Sequence, residues 1–409
     1  MKKFLAMVLT AAMAFSLAAC GGSNASSAAS QGSTSGSKTD VAFVTDVGNI
    51  DDQSFNQYTW QGVKDFCAAN NLNANYYRPT EDSDSARLEQ MDNAVNDGAK
   101  AIVVAGYLFG SSIAEAQAKY PDVQFLALDV SAFDLGDSAA AANTALITYR
   151  EEQAGYLAGY AAVYDGYKKL GFLGGMAVPA VIRYGYGFVQ GAEAAAKEIG
   201  ADDVSINYWY SGDFKATDEV KTKMDSWYSA GTEVVFACGG PVCTSCDAAA
   251  KANGGKMIGV DVDQSGQFDT VVTSAMKALA NSVNLALTDS MNNGWKFTET
   301  YAGKETVLGA AEDCVGLPME TSKFSKFTKE QYDALYKSIV DGSLVIDASF
   351  DADVHPEVSA ITVDYQGLIA CSSFAPRRNA RGILFLRGIL GRVSKKVLIF
   401  CRFCANSLV

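Results

Sequence analysis

The sequence predicts an α/β protein of two doubly wound, parallel-sheet lobes joined by a multi-strand hinge. Three observations predict it. Short, continuous apolar runs alternate with amphipathic stretches from Val41 to Ser274, as expected of strands buried on both faces beneath helices. Such runs number nearly ten, too many for one compact lobe. Aspartates also recur just beyond the ends of the runs.

The expected strands are 41–45, 101–105, 123–128, 145–148, 169–173, 204–208, 233–237, 256–260 and 270–273, bounded by Gly, Asp or Asn. A first helix starts near Ser54, an N-cap candidate after Asp51 and Asp52. Its Phe55, Thr59, Gly62, Val63, Phe66 and Cys67 share one face at helical spacing. A second helix spans about 84–97, with Leu88, Met91 and Val95 in a stripe. A third spans 151–163, with Ala154, Leu157, Ala158 and Ala161 likewise placed. The chain is expected to cross between lobes near 147–150 and again near 262–270. One lobe then holds 39–148 plus about 265–295, and the other 149–264 plus about 296–374.

The first 19 residues read as an export signal. Lys2 and Lys3 precede an uncharged, mostly apolar run that ends in small residues before Cys20. The run is too alanine-rich for a comfortable membrane span, which needs about 20 strongly apolar residues. Leu17-Ala18-Ala19-Cys20 resembles a bacterial lipobox, which implies a lipidated Cys20 as the first mature residue. Residues 20–38 are nearly all Gly, Ser, Ala, Asn, Gln and Thr, a composition that cannot bury enough apolar surface to order and so forms a flexible leash. One acyl chain anchors a protein only marginally; the diacylglyceryl-type modification implied by the lipobox meets that difficulty.

Charge narrows the partners. Of 33 Lys and Arg, eight fall in 376–409 and two in the first twenty residues, leaving 23 against 46 Asp and Glu. So acidic a body is unsuited to nucleic acid or anionic lipid headgroups. The basic, apolar segment 375–409 departs abruptly from the rest and reads either as a membrane-surface segment or as a non-native end. Cys238, Cys243 and Cys246 have the spacing of a metal half-site, but zinc needs four ligands and His355 is the chain's one histidine. A small disulfide or buried thiols are the remaining readings. No metal or cofactor is implied.

Asp46, Asp129 and Asp261 each follow an apolar strand. In open parallel sheets ligands bind beyond the carboxyl ends of strands, so the three acids point to a cleft between lobes. Any one of them also suits a turn or a helix cap; three in one register carry more weight. The sequence has no P-loop, no Gly-x-Ser-x-Gly elbow and no histidine beside a serine or cysteine, which favours binding over catalysis. Carboxylates clamp a vicinal diol by accepting two hydroxyl hydrogens. Phe55, Tyr184, Tyr186 and Phe188 follow strand ends closely, where rings can sandwich a flat heterocycle or a sugar face.

Residues 45–57 (TDVGNIDDQSFNQ), followed by Trp60-x-Gly62, resemble the opening motif of the basic membrane protein family, substrate-binding lipoproteins of ABC transporters typified by purine-nucleoside receptors. Segments 171–179 with 187–191, 258–264, and Thr273-Ser274-x-x-Lys277 match in order, so the resemblance spans about 40–366. It implies a type I periplasmic-binding-protein fold with three crossovers that closes on a nucleoside like a hinged trap. It implies that Phe55 and Phe188 stack on the base, and that Asn56 and Asp129, with Asp46, bond its edge. Asp261 accepts from the ribose hydroxyls and Lys277 completes that end; the roles of Asn56 and Lys277 come from the resemblance alone. The implied partners are a permease and its ATPase, at the outer face of a bacterial cell membrane. Segment 238–243 and the aromatic stretch Tyr184–Tyr186 depart from the family pattern, which puts contacts there in doubt. A sugar or other polar-solute receptor, a sensor lobe signalling to a membrane partner, and a nucleoside hydrolase are the competing readings.

Overall fold

The computed structural model describes residues 38–46 and 48–367; the signal segment, Cys20, nearly all of the leash, Cys371 and the basic tail lie outside them. Through residue 149 the chain runs β1 (Val41–Val44), α1 (Phe55–Asn70), β2 (Ala74–Tyr77), α2 (Asp84–Asn96), β3 (Ala101–Ala105), α3 (Gly110–Lys119), β4 (Gln124–Leu128) and β5 (Thr144–Tyr149). It continues as α4 (Glu151–Asp165), β6 (Lys169–Gly174), α5 (Pro179–Ile199), β7 (Val204–Tyr210), α6 (Asp218–Ser229), β8 (Val234–Cys238), α7 (Val242–Asn253), β9 (Lys256–Asp261) and β10 (Val271–Lys277). Then follow α8 (Leu279–Asn292), β11 (Lys304–Leu308), β12 (Val315–Gly316), α9 (Lys329–Val340) and β13 (Ile361–Gln366).

Two sheets result, ordered β11-β5-β4-β3-β1-β2 and β12-β10-β9-β8-β6-β7-β13. Every pairing among the described residues is parallel except the short antiparallel β10–β12. The two orders correspond strand for strand: β1 with β6, β2 with β7, β3 with β8, β4 with β9 and β5 with β10. Central strands such as β3, β4 and β8 are buried along their whole length, as parallel strands covered on both faces must be.

The lobe boundaries shift from those expected. Residues 271–277, expected in the first lobe, form β10 of the second sheet, where Thr273 pairs with Ile258. Residues 304–308, expected in the second, form β11 of the first sheet, Thr306 pairing with Ile147. Strand membership follows hydrogen-bond partners across the sheet, which local hydrophobicity does not encode. The chain therefore crosses between sheets at 149–151, 277–279 and 308–315. Helix α8 does pack on α1, with Ala280 pressed against Gly62. The expected cap of α1 also changes: Ser54 makes no side-chain cap bond, and the Asp52 carboxylate accepts from the backbone N–H groups of Ser54, Asn56 and Gln57 instead.

Helices α4 and α5 meet backbone to backbone. A Cβ at Gly155, Gly159, Gly187 or Gly191 would stand 2.0–2.1 Å from a carbonyl oxygen of the facing helix, so only glycine fits these four positions. The pairs sit four residues apart on each helix and form one small-residue seam. It fixes α4, which begins at the first crossover with Glu151, against α5, which carries Arg183 and Tyr184.

Candidate ligand-binding site

The carboxyl ends of β4 and β9 face each other between the lobes. Asp129 and Asp261 both take the left-handed conformation there, with φ 53° and 65°, a region that short polar side chains tolerate. Lys277, the last residue of β10, joins them. Its Nζ lies 2.5 Å from Asp129 Oδ2, 3.5 Å from Glu151 Oε1 and 3.6 Å from Asp261 Oδ1. The same ammonium sits over the ring of Phe55 at 4.6 Å, with Tyr149 at 5.3 Å and Tyr184 at 5.8 Å. Glu151 is fully buried and also accepts from Arg183 Nε at 2.7 Å.

Buried charge of this kind persists only when paired. Burial opposes the ammonium form of Lys277, but the attraction of Asp129, Asp261 and Glu151 outweighs it and raises its pKa. Burial pushes Asp129 up to about 6 against the pull of Lys277. Next to this cluster, burial, with Glu151 adding to it, pushes Glu152 up to about 7.

The first-lobe wall is built by the loop after β1. Asn56 Nδ2 donates to Asp46 Oδ1 at 3.1 Å and Asp52 Oδ2 at 3.2 Å, and Gly48 N donates to Asp46 Oδ1 at 2.6 Å. Residues 53–58 then touch the second lobe directly. Ser54 Oγ donates to Asp261 Oδ2 at 2.5 Å, Gln264 Nε2 to the Gln53 carbonyl at 3.2 Å, and Gln267 Nε2 to Tyr58 Oη at 3.3 Å. These three bonds, with the Lys277–Asp129 pair, join the two lobes. Several buried polar atoms around the cluster have no hydrogen-bond partner among the described residues: Asn56 Oδ1, Asp129 Oδ1, Tyr149 Oη and Tyr184 Oη. Orphaned polar atoms are costly in a protein interior; gathered here, they suit a polar ligand. A cavity of about 320 Å³ adjoins Asp261 and Lys277 beside the crossovers, with Tyr58, Leu279, Cys314 and Tyr336 in its lining. Asp46, Phe55, Asn56 and Asp129 are not in its lining.

Of the seven residues expected in the site, Phe55, Asp129 and Asp261 converge on the ammonium of a fourth, Lys277. Asp46 and Asn56 form the adjoining wall. Phe188 does not join them: its ring is fully buried, 5.5 Å from that of Phe236 on β8, whereas Tyr184, one turn earlier on the same face of α5, packs on Phe236 at 5.8 Å and also reaches Lys277. Sequence reasoning missed Glu151, Arg183 and Tyr149. The two acids opening α4 were visible, but acids in a first helical turn are ordinary partners of the helix dipole. Cys238, Cys243 and Cys246 are free, buried thiols, with Cys243 Sγ donating to the Ala237 carbonyl at 3.2 Å.

Two parallel-sheet lobes, three crossovers and a polar cleft at the strand ends define the type I periplasmic-binding fold. Two solved structures share it: a solute-binding protein of an ABC transporter system from Aeropyrum pernix K1 (TM-score 0.65, 21% identity, covering 77% of this chain and 95% of that one), and one from Conexibacter woesei (TM-score 0.60, 20% identity, covering 76% and 99%). Residues 39–349 match the Bmp family, described as ABC transporter substrate-binding protein PnrA-like, and the chain belongs to that family. Relatives include a CD4+ T-cell-stimulating antigen of Listeria innocua, 27% identical over 84% of this chain and 97% of its own length. Another is the ABC transporter nucleoside-binding protein BmpA of Lactococcus lactis, 30% identical over 56% of this chain and 65% of its own. The family is one of substrate-binding proteins rather than enzymes, and its members work outside the cytoplasm with an ABC permease. No helix among the described residues is long and apolar enough to cross a membrane.

Proposed function

We propose that this protein captures a nucleoside, of the purine class, between its lobes and delivers it to an ABC permease while anchored to the membrane through a lipid on Cys20. The observation that carries the reading is the cluster in which Lys277 gathers Asp129 from one lobe and Asp261 from the other beneath the ring of Phe55. Carboxylates at both strand ends supply acceptors for ribose hydroxyls, and Phe55 offers a face for the base. Tyr184 takes the place expected of Phe188 as the aromatic partner from the second lobe. The nucleoside-binding name of the lactococcal relative supports the ligand class. Closure on the ligand uses the Ser54–Asp261 and Gln264–Gln53 contacts, so capture and lobe closure draw on the same residues.

The test is a thermal-shift screen of the full-length chain, purified in mild detergent, against nucleosides, free bases, pentoses and hexoses. A ligand at about 100 times its dissociation constant adds about 2.7 kcal/mol of stability. A shift with a hexose and none with any nucleoside would sink the reading. Asp261→Ala should abolish the nucleoside shift while leaving the protein folded.

A further inference from the structure

We infer that the first-lobe wall selects nucleosides whose base carries a ring N–H donor, of the 6-oxopurine type, over those with an adenine-like edge. This rests on the nucleoside reading above. The amide of Asn56 can be oriented in one way only. Its nitrogen faces two carboxylates, Asp46 and Asp52, both acceptors; the opposite flip would set oxygen against oxygen. Both amide hydrogens are therefore spent, and Oδ1 is the atom left over. The residue is 4% exposed, and that oxygen has no partner among the described residues.

The rest of this wall has the same polarity. Asp46 receives Gly48 N and Asn56 Nδ2, so it acts as an acceptor. Asp129 gives Oδ2 to Lys277 and keeps Oδ1 unpartnered. Phe55, which precedes Asn56 in the first turn of α1, presents its ring to the same ammonium that Asp129 binds. Strand β3 alone separates β1 from β4, which sets the Asn56 and Asp129 ends of the wall on the order of 10 Å apart. A ligand lying along Phe55 thus meets acceptors at both ends of the first lobe.

Guanine offers N1–H and an exocyclic amine side by side, and hypoxanthine offers N1–H alone. Adenine sets an amine beside an unprotonated ring nitrogen, whose lone pair would face an acceptor. An unmatched polar contact in a buried site reduces affinity by at least about tenfold.

Calorimetric titration of the unaltered full-length chain with guanosine, inosine and adenosine decides the matter without any variant. The expected ranking is guanosine tightest, then inosine, with adenosine at least about tenfold weaker than guanosine. Adenosine binding as tightly as guanosine would overturn the selectivity while leaving nucleoside capture intact; no binding of any of the three would remove both. In Asp46→Asn, which replaces an acceptor by a donor, guanosine should weaken about tenfold or more and adenosine by less. Equal loss of both in a variant whose circular dichroism matches the parent would also count against the inference.

Discussion

Asp129 and Asp261 occupy equivalent positions in the two lobes, each at the carboxyl end of the fourth strand of its βα series, and both bind the ammonium of Lys277, at 2.5 and 3.6 Å. Their shared left-handed backbone turns each carboxylate out of its sheet and into the space between them. One lysine therefore neutralises acids contributed by both halves of the molecule, and its removal should be felt in stability and in binding alike.

Lys277→Met leaves Asp129, Glu151 and Asp261 without their common partner. Breaking a buried pair in this way costs about 3–5 kcal/mol. Without the lysine the folded-state pKa of Asp129 rises further, so the folded variant holds protons more tightly than the unfolded chain. Its stability then falls as pH rises from about 4 to 7. Urea unfolding should show the deficit against the parent largest at pH 7 and smaller at pH 5. An equal deficit at both would show that the lysine acts by packing alone.

Glu152 supplies a second pH dependence of known sign. Its folded pKa, near 7, lies above the ordinary 4.5, so the folded state binds the extra proton and stability is lost as pH rises from about 4.5 to 7. Glu152→Gln removes that loss. The variant should gain up to about 3 kcal/mol above pH 7 and nothing below pH 4.5, as measured by denaturant midpoints across that range.

The seam between α4 and α5 admits no side chain. Gly187→Ala would place a methyl group 2.1 Å from the Glu152 carbonyl, and such overpacking destabilises by about 1–3 kcal/mol or more. Because α4 and α5 carry Glu151 and Arg183, the helices' separation should weaken nucleoside binding as well. An alanine variant with unchanged melting temperature and affinity would show that the helices move apart freely.

Membrane attachment is tested at the other end of the chain. Cys20→Ser removes the cysteine proposed to carry the lipid, and the protein should move from the detergent to the aqueous phase in a Triton partition. Retention in the detergent phase would argue for a different anchor.

The candidate site was partly legible in the sequence. Asp46, Asp129 and Asp261 stood out because apolar runs ended just before them, and strand ends are where parallel sheets bind. Phe55 was visible from its place after β1. The edge strands were not visible: β2, β11 and β13 are half exposed, so they lack the continuous apolar run that marked the central strands. The placement of Phe188 apart from the Lys277 cluster was not visible either. Sequence places Phe188 four residues from Tyr184 on the same face of one helix, and both rings pack on Phe236; that Tyr184, one turn nearer the start of α5, also reaches Lys277 depends on where the helix sits along the sheet.

What the sequence by itself determined is the class of the molecule: alternating apolar and amphipathic segments dictate covered parallel sheets, their number dictates two lobes, and acids fall at the ends of their strands. These are consequences of local pattern, and each is written within a few residues. Tertiary structure alone decided that β10 belongs to the second sheet and β11 to the first, that Ser54 bonds Asp261 rather than capping its own helix, and that Glu151 and Arg183 support Lys277. Those facts join residues up to 207 positions apart. They are set by hydrogen-bond pairing and charge compensation in a closed interior, which exist only once both lobes are built and brought together.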